Sequence, residues 1–291
     1  MKKFFNILFY VSILVFVIYL TQIDYISLSN IGFNLYYLIG AILLLWAGFY
    51  VSTQSWGYAL RVHNIHISRR TALISHGLSV FAKYIPGKVW VILGRASYIA
   101  KDKSISAKDS SIVSLKEQLI YILWGLIISF FPLLKLENAW YIPLLVFLTM
   151  VCIALFLFLK PLHNLISRLV LRWFKKELNI PLLTVRGALQ ISGYIIVYWI
   201  FWIAGFYLLL LAFDIPRPFE AAFIFPVSVV YGVLAIIFPG GIGVREGIIV
   251  SLLILMGCDA GLAAGFSIAA RLWFIIGEVF VFVLAMICKK R

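Results

Sequence analysis

Residues 69–95 read RRTALISHGLSVFAKYIPGKVWVILGR, an apolar segment with basic residues at both ends and Pro86-Gly87 near its middle. A proline followed by a glycine interrupts a helix, because proline lacks a backbone N–H and glycine is a poor helix former. An apolar segment that is basic at both ends and broken at its centre is typical of a helical hairpin that enters and leaves a membrane on the same side. We therefore expect a re-entrant hairpin over 71–94.

The composition indicates an integral membrane protein. Of the 291 residues, 64% are hydrophobic and 12% are charged, and the mean hydropathy is +1.07. Soluble domains are about half apolar and a quarter charged, so a water-soluble protein could not bury this much apolar surface. At about 20 residues per crossing, the chain has room for about six to nine membrane segments. We expect one membrane domain over 1–291.

The basic residues predict how the segments are oriented. The net charge is +14, but Lys and Arg lie in short gaps between apolar runs, so membrane topology explains them and we expect no nucleic-acid partner. The gaps 21–34, 132–139, 214–220 and 258–260 contain only two basic residues, Lys135 and Arg217. The basic gaps are expected in the cytoplasm, together with both termini. They are 1–3, 61–70, 95–108, 160–186 and 289–291.

The second half of the chain has a similar interruption. Segments 221–238 and 244–257 flank Pro239-Gly240-Gly241, and the second of them is short for a full span. A second hairpin over 221–257 fits the charge pattern, and so do two ordinary spans in its place. With two hairpins, the predicted fold is an all-α polytopic membrane protein with about six crossings. These crossings are 4–20, 35–60, 109–131, 140–159, 187–213 and 261–288.

The two halves begin on opposite sides of the membrane, which predicts an inverted-topology repeat. Repeat one covers 1–134 and repeat two covers 135–291, and each has a hairpin between its second and third crossings. Such repeats, with broken helices near the midplane, are common in secondary transporters. The cytoplasmic connector 160–186 contains a basic amphipathic stretch, which we expect to lie on the anionic leaflet.

Several ionisable side chains fall within the predicted membrane segments, where charge is costly and usually functional. Lys88 and Arg245 follow the two Pro-Gly breaks, so each is expected in the first turn of a helix. The positive end of the helix dipole disfavours a cation there unless an anion is close, and the free N–H groups also attract anions. The pattern predicts a phosphate-binding site, although internal ion pairing would explain the same residues. The set is Lys83, Lys88, Glu117, Arg245, Glu246, Arg271 and Glu278.

The same stretches resemble a known family. Residues 81–90, FAKYIPGKVW, followed by Gly94-Arg95, are similar to the first signature of the lysylphosphatidylglycerol synthase transmembrane-region family, the flippase-like membrane proteins. Residues 239–247, PGGIGVREG, resemble its second signature. Leu115-Lys116-Glu117 and Ala270-Arg271-Leu272 are similar to weaker family features. The resemblance implies a lipid flippase fold acting on aminoacylated phospholipids or lipid-linked sugars. The founding members add a soluble aminoacyl-transfer domain, and this sequence ends at Arg291, so we expect no lysyl transfer.

The leading hypothesis is a flippase that moves an anionic phospholipid or a polyprenyl-linked glycan between leaflets. We expect it in the cytoplasmic membrane of a bacterium or archaeon, serving cell envelope biogenesis. The expected substrate-binding residues are Lys83, Lys88, Arg245, Arg271, Gly87, Gly240 and Gly241. The expected gating or charge partners are Glu117, Glu246 and Glu278.

Two other functions fit the sequence. A membrane enzyme that modifies a lipid carrier would need a general base, a nucleophile or clustered metal-binding carboxylates, whereas the acids here are scattered singly. A scaffold of an envelope-synthesis complex would need no transport site. We expect no catalytic residue, no metal site and no cofactor. Expected protein partners are a second copy of the chain or envelope-biosynthesis enzymes.

Overall fold

The computed structural model describes residues 33–85, 89–102, 104–136, 139–161, 184–236 and 238–290. Every regular element in these ranges is helical. Two segments of 3-10 helix cover Val80–Tyr84 and Pro239–Gly241. In chain order the α-helices are α1 (Leu35–Val62), α2 (Arg69–Ser79), α3 (Val89–Ile99), α4 (Ala107–Leu133), α5 (Tyr141–Phe158), α6 (Val185–Ala212), α7 (Pro218–Ala221), α8 (Ile224–Leu234), α9 (Val244–Leu255) and α10 (Ala260–Lys290).

Five of these helices are long and apolar enough to cross a membrane, namely α1, α4, α5, α6 and α10. They coincide with all the predicted crossings except the first. That first crossing, 4–20, lies outside the described residues, and so does 162–183 of the predicted connector 160–186. The boundaries of the two repeats stay a prediction.

The two interrupted segments form pairs of short helices rather than straight spans. Helices α2 and α3 have 11 residues each, α8 has 11 and α9 has 12. At 1.5 Å per residue they are about 16–18 Å long, roughly half of a hydrocarbon core of about 30 Å. Helix α2 contacts α3, and α8 contacts α9. We call them the first and second helix pairs; the side from which each enters the membrane stays a prediction.

Several helices begin where the sequence provides a polar cap. The side chains of Asn34, Ser68, Ser106 and Thr184 each accept a hydrogen bond from a backbone N–H in the first turn of the helix that follows. A capped N–H no longer needs water, which stabilises the start of a helix by about 1 kcal/mol. The caps therefore mark where loops end and apolar helices begin.

Helix α1 packs closely against α6 and against α10, and glycines lie at these contacts. A Cβ atom added at Gly48 of α1 would overlap Trp202 of α6, and one added at Gly277 of α10 would overlap Phe49. Small residues at such contacts let helix backbones pack tightly where lipid provides no hydrophobic driving force. Buried aromatic rings fill the space around the contacts: Tyr121, Tyr198, Trp199, Trp202, Phe206, Phe225, Trp273 and Phe274.

Both helix pairs pack against α10. Helix α2 lies against it at Gly77, where an added Cβ would come 2.6 Å from the carbonyl oxygen of Val281. Helix α9 also contacts α10, and the two 3-10 segments contact each other. The tips of the two pairs therefore meet beside the middle of α10, and the candidate site lies at this junction.

One expectation about the loops was wrong. The predicted cytoplasmic gap 95–108 begins too early, because α3 continues to Ile99 and buries Arg95 within it. When basic residues are counted to assign loops, an isolated arginine next to an apolar run is assigned to a loop. Here a buried carboxylate on another helix compensates its charge.

Candidate functional site

A cavity of about 340 Å³ lies between the first helix pair, α4, α6 and the second helix pair. Most of its wall is apolar, and ionisable side chains project from the first pair, from α4 and from the second pair. Its polar lining residues include Ser52, His76, Lys83, Arg95, Glu117, Gln118, Tyr121, Tyr198 and Arg245. The chain thus places cationic groups at the wall of an apolar cavity inside the helix bundle.

The tip of the second helix pair depends on its glycines. Gly240, Gly241 and Gly243 have φ values of 60°, 72° and 82°, a region that is strained for residues with a Cβ atom. Gly240 also lies against the ring of Tyr84. A Cβ atom added at Gly241 would come 2.8 Å from the backbone oxygen of Gly232. Only glycines allow this turn to fit between the first pair and α8.

Helix α9 begins directly after this turn, and its first carboxylate caps it. The N–H of Gly243 donates to Oε2 of Glu246 at 2.7 Å. The carboxylate satisfies a free donor and offsets the positive end of the helix dipole. Arg245 is the second residue of α9 and so lies in the first turn of a helix, as the sequence predicted. Its position is set by where the glycine turn ends.

Arg245 is buried, with 6% of its surface exposed, and it faces the cavity. Within the described ranges, its guanidinium has no salt bridge, and its Nε atom is buried without a hydrogen-bond partner. It lies instead over aromatic rings, 4.5 Å from the ring centre of Phe274 and 5.9 Å from that of Phe225. Arg245 is therefore a buried cation that forms no salt bridge with any described carboxylate.

Lys83, Arg95 and Arg271, the other cations described at or beside the cavity, have carboxylate partners. Lys83, in the 3-10 segment of the first pair, forms a salt bridge with Glu278 of α10, which is fully buried. The hydroxyl of Tyr84 donates to the other oxygen of Glu278 at 2.8 Å. These contacts attach the tip of the first pair to α10.

Arg271 connects α10 to the second pair. Its Nη1 donates to the carbonyl of Gly240 at 3.1 Å, and its Nη2 donates to the hydroxyl of Tyr84 at 3.3 Å. Its Nε lies 3.6 Å from Oε1 of Glu246, within salt-bridge range. Arg271 and Glu278, about two turns apart on the same helix, thus reach different partners and hold both tips against α10.

A third buried ion pair, formed by Arg95 and Glu117, lies in the cavity wall. Nη1 of Arg95 is 2.6 Å from Oε2 of Glu117, and Nη2 of Arg95 donates to the backbone oxygen of Ser114 at 2.8 Å. Ser55 of α1 donates to Oε1 of Glu117 at 2.9 Å, and the guanidinium lies 4.2 Å from the ring centre of Trp56. The pair connects α1, α3 and α4.

The structure brings most of the predicted site residues together. Some of them line the cavity, and others pack around the tips of the helix pairs. Lys83, Glu117, Gly240 and Arg245 line the cavity. The remaining predicted residues with described positions, Gly241, Glu246, Arg271 and Glu278, take part in the packing and ion pairs around the tips. Gly87 and Lys88 lie outside the described residues. Internal ion pairing, the alternative that the sequence left open, accounts for Lys83, Glu117 and Arg271 but not for Arg245.

Sequence reasoning missed two residues that shape the site. Tyr84 hydrogen-bonds to both Glu278 and Arg271, and Arg95 compensates Glu117. Both residues lie in the stretch 81–95, which resembles a family signature. The sequence did not indicate which residues they contact. Arg95 in particular comes after an apolar run without a polar linker, a signal that it belongs to the helix.

Comparison with known proteins agrees with this architecture. The family model for the lysylphosphatidylglycerol synthase TM region matches residues 4–282, nearly the whole chain. No curated protein and no solved structure matches the chain. With its apolar helices and this match, the chain is a multi-pass membrane protein that belongs to the lysylphosphatidylglycerol synthase transmembrane-region family.

Proposed function

We propose that this protein translocates an anionic lipid between membrane leaflets, and that the negatively charged headgroup binds Arg245 in the cavity between the two helix pairs. The observation that carries the proposal is the burial of the Arg245 guanidinium without an anionic partner among the described residues. Membership of the flippase-like family supports the same function.

The charge pairing around the cavity supports an anionic ligand. Among the described residues, Lys83 is paired with Glu278, Arg95 with Glu117 and Arg271 with Glu246, and Arg245 has no salt-bridge partner. An uncompensated buried ion is destabilising by several kcal/mol, since low-dielectric surroundings replace its hydration shell poorly. A phosphate group at Arg245 would restore that stabilisation through charge-assisted hydrogen bonds.

The apolar wall supports a lipid rather than a small soluble anion. Val89, Ile92, Leu119, Val233 and Ile236 line the cavity beside the charged groups. A headgroup at Arg245 can then leave its acyl or polyprenyl chain against apolar side chains. The cargo is an anionic phospholipid or a lipid-linked glycan, which share the phosphate.

The remaining charged residues contribute to binding and gating in this proposal. Lys83 and Arg271, with Lys88 and the glycines at both tips, assist Arg245 in holding the phosphate. Glu246 and Glu278 hold the tips against α10, and exchange of their partners opens the cavity to one side. The two pairs move alternately, as broken helices do in secondary transporters. The setting is the cytoplasmic membrane of a bacterium or archaeon.

Transport in proteoliposomes tests the proposal. The purified protein is reconstituted with fluorescent phosphatidylglycerol, and exposure of the label to an impermeant quencher reports its movement between leaflets. Arg245→Gln removes the charge, and we expect transport to fall at least about tenfold, since a charge-assisted hydrogen bond contributes about 1.5–3 kcal/mol. Arg186→Gln, at an exposed position at the start of α6, is the matched control and should transport normally.

Several outcomes would reject the proposal. Undiminished transport in Arg245→Gln, with both variants folded, would exclude Arg245 as the site. Equal transport of phosphatidylcholine would show that the headgroup's net charge is not recognised. A covalently altered lipid in the reaction would favour a membrane enzyme, and no lipid movement at all would favour a scaffold.

A further inference from the structure

Two residues outside the predicted site hold Arg245 in place. The aliphatic part of Arg245 lies flat on α8 at Gly232, where an added Cβ would come 2.9 Å from Cδ of the arginine and closer still to Cγ. Its guanidinium lies on the buried ring of Phe274. The arginine is thus held at its stem by one helix and at its head by another.

Carboxylates that could capture this arginine are present nearby. Glu246 is the next residue in the chain, and Glu278 lies on the same helix as Phe274, one turn further along. Both are engaged elsewhere, Glu246 with Gly243 and Arg271, and Glu278 with Lys83 and Tyr84. A long, flexible arginine would move toward these carboxylates unless other contacts held it away from them.

We infer that Phe274 and Gly232 are positioning residues that keep the guanidinium of Arg245 available to an anionic headgroup and apart from the carboxylates of Glu246 and Glu278. This role rests on the proposed function, since it presupposes that Arg245 binds an anion. The face of an aromatic ring attracts a cation without neutralising it, so the charge remains free to bind a ligand. Gly232, which has no side chain, leaves space for the stem to lie flat on α8. Anion binding then requires little rearrangement of the arginine, which lowers the free-energy cost of binding.

The ring of Phe274 packs against Phe225 with ring centres 5.5 Å apart, and Lys83 lies 5.2 Å from its centre. Phe206 provides the control. It is buried and also packs against Phe225, with ring centres 5.0 Å apart, and no cation lies over its ring among the described residues. Phe206 and Phe274 therefore share an aromatic neighbour and differ in their contacts with the cations Arg245 and Lys83.

Fluorination separates the electrostatic role of the ring from its packing role. Trifluorophenylalanine keeps nearly the same shape as phenylalanine and weakens the attraction of the ring face for cations. We introduce it at Phe274 or at Phe206 in the full chain and measure initial transport rates against the mole fraction of labelled phosphatidylglycerol. At Phe274 we expect the half-saturating mole fraction to rise by about 3-fold to 30-fold, with a nearly unchanged maximum rate. At Phe206 we expect no change.

A second pair of variants tests the contact with the stem. Gly232→Ala should raise the half-saturating mole fraction, because its methyl group displaces the arginine stem. Gly193→Ala on α6 is the matched control, since an added Cβ there meets nothing within 4 Å. We expect its saturation curve to match that of the unsubstituted protein.

The outcomes distinguish the inference from the proposed function. If Arg245→Gln abolishes transport while fluorination of Phe274 leaves the half-saturating mole fraction unchanged, the positioning role is wrong and the proposed function stands. An equal effect at Phe206 and Phe274, or a change in the maximum rate alone, also overturns the inference, since packing would explain either. If Arg245→Gln transports normally, the proposed function fails and the inference fails with it.

Discussion

The guanidinium of Arg95 on α3 lies 2.6 Å from the carboxylate of Glu117 on α4, and both side chains are buried. Hydrogen bonds from Ser55 to Glu117 and from Arg95 to Ser114 extend the pair to α1 and along α4. Arg95 and Glu117 line the cavity, and their opposite charges compensate each other. The pair contrasts with Arg245, which lines the same cavity and has no salt-bridge partner among the described residues.

Removing one member of this pair should destabilise the protein strongly. Glu117→Gln leaves the buried Arg95 without its anion, and we expect the free energy of unfolding to fall by about 3–5 kcal/mol. The double variant Arg95→Met/Glu117→Leu removes both charges and should recover much of that loss. Thermal unfolding in detergent micelles measures both effects. An unchanged Tm in the single variant would argue against a buried pair.

The pair formed by Lys83 and Glu278 should affect stability and transport differently. Glu278→Gln removes the anion that pairs with Lys83 and leaves only a neutral amide oxygen to accept from Tyr84, so we expect a lower Tm. Lys83→Gln/Glu278→Gln should regain most of the stability, because no unpaired ion remains at this position. It should still transport phosphatidylglycerol more slowly, since Lys83 assists in phosphate binding. Full transport in the stable double variant would remove Lys83 from the site.

The glycine turn of the second pair should tolerate no side chain at Gly240. Gly240→Ala forces a φ of 60° on alanine and presses its methyl group against the ring of Tyr84. We expect a loss of about 1–3 kcal/mol in the free energy of unfolding. Gly247→Ala is the control, because an added Cβ there meets nothing within 4 Å. Equal Tm values for the two variants would contradict the tight contact between the tips.

Acidification should destabilise the protein through His63, in the loop after α1. Burial, with a smaller contribution from the Lys116 cation, lowers the pKa of His63 below its usual 6.5. The unfolded chain therefore binds a proton that the folded protein resists, so stability present at neutral pH is lost as the pH falls below about 6.5. We expect Tm to fall less between pH 7.5 and pH 5.5 in His63→Gln than in the unsubstituted protein. Identical pH dependence would show that His63 titrates normally.

The helices were predictable from the sequence because apolar length and polar caps are local signals. Helix α6 (Val185–Ala212) nearly coincides with the predicted crossing 187–213, and its start is marked by Thr184. The break at Pro239-Gly240 likewise results from residue types whose backbone preferences are known. These features require no knowledge of which helices become neighbours.

The partners of the charged residues were not predictable in the same way. Lys83 and Glu278 are 195 positions apart, and nothing local to either residue indicates the other. Charge counting assigned Arg95 to a loop, because a count does not distinguish an interfacial arginine from one compensated within the bundle. Gly232 and Phe274 were missed since their importance comes from the side chain of Arg245 resting on them.

Lipid binding measured by native mass spectrometry tests the central claim most directly. The unsubstituted protein, Arg245→Gln and the control Arg186→Gln are titrated in detergent with phosphatidylglycerol and with phosphatidylcholine. We predict a bound phosphatidylglycerol in the unsubstituted protein and the control, at least about tenfold weaker binding in Arg245→Gln, and no such difference for phosphatidylcholine. Equal retention of phosphatidylglycerol by all three proteins would contradict an anion site at Arg245.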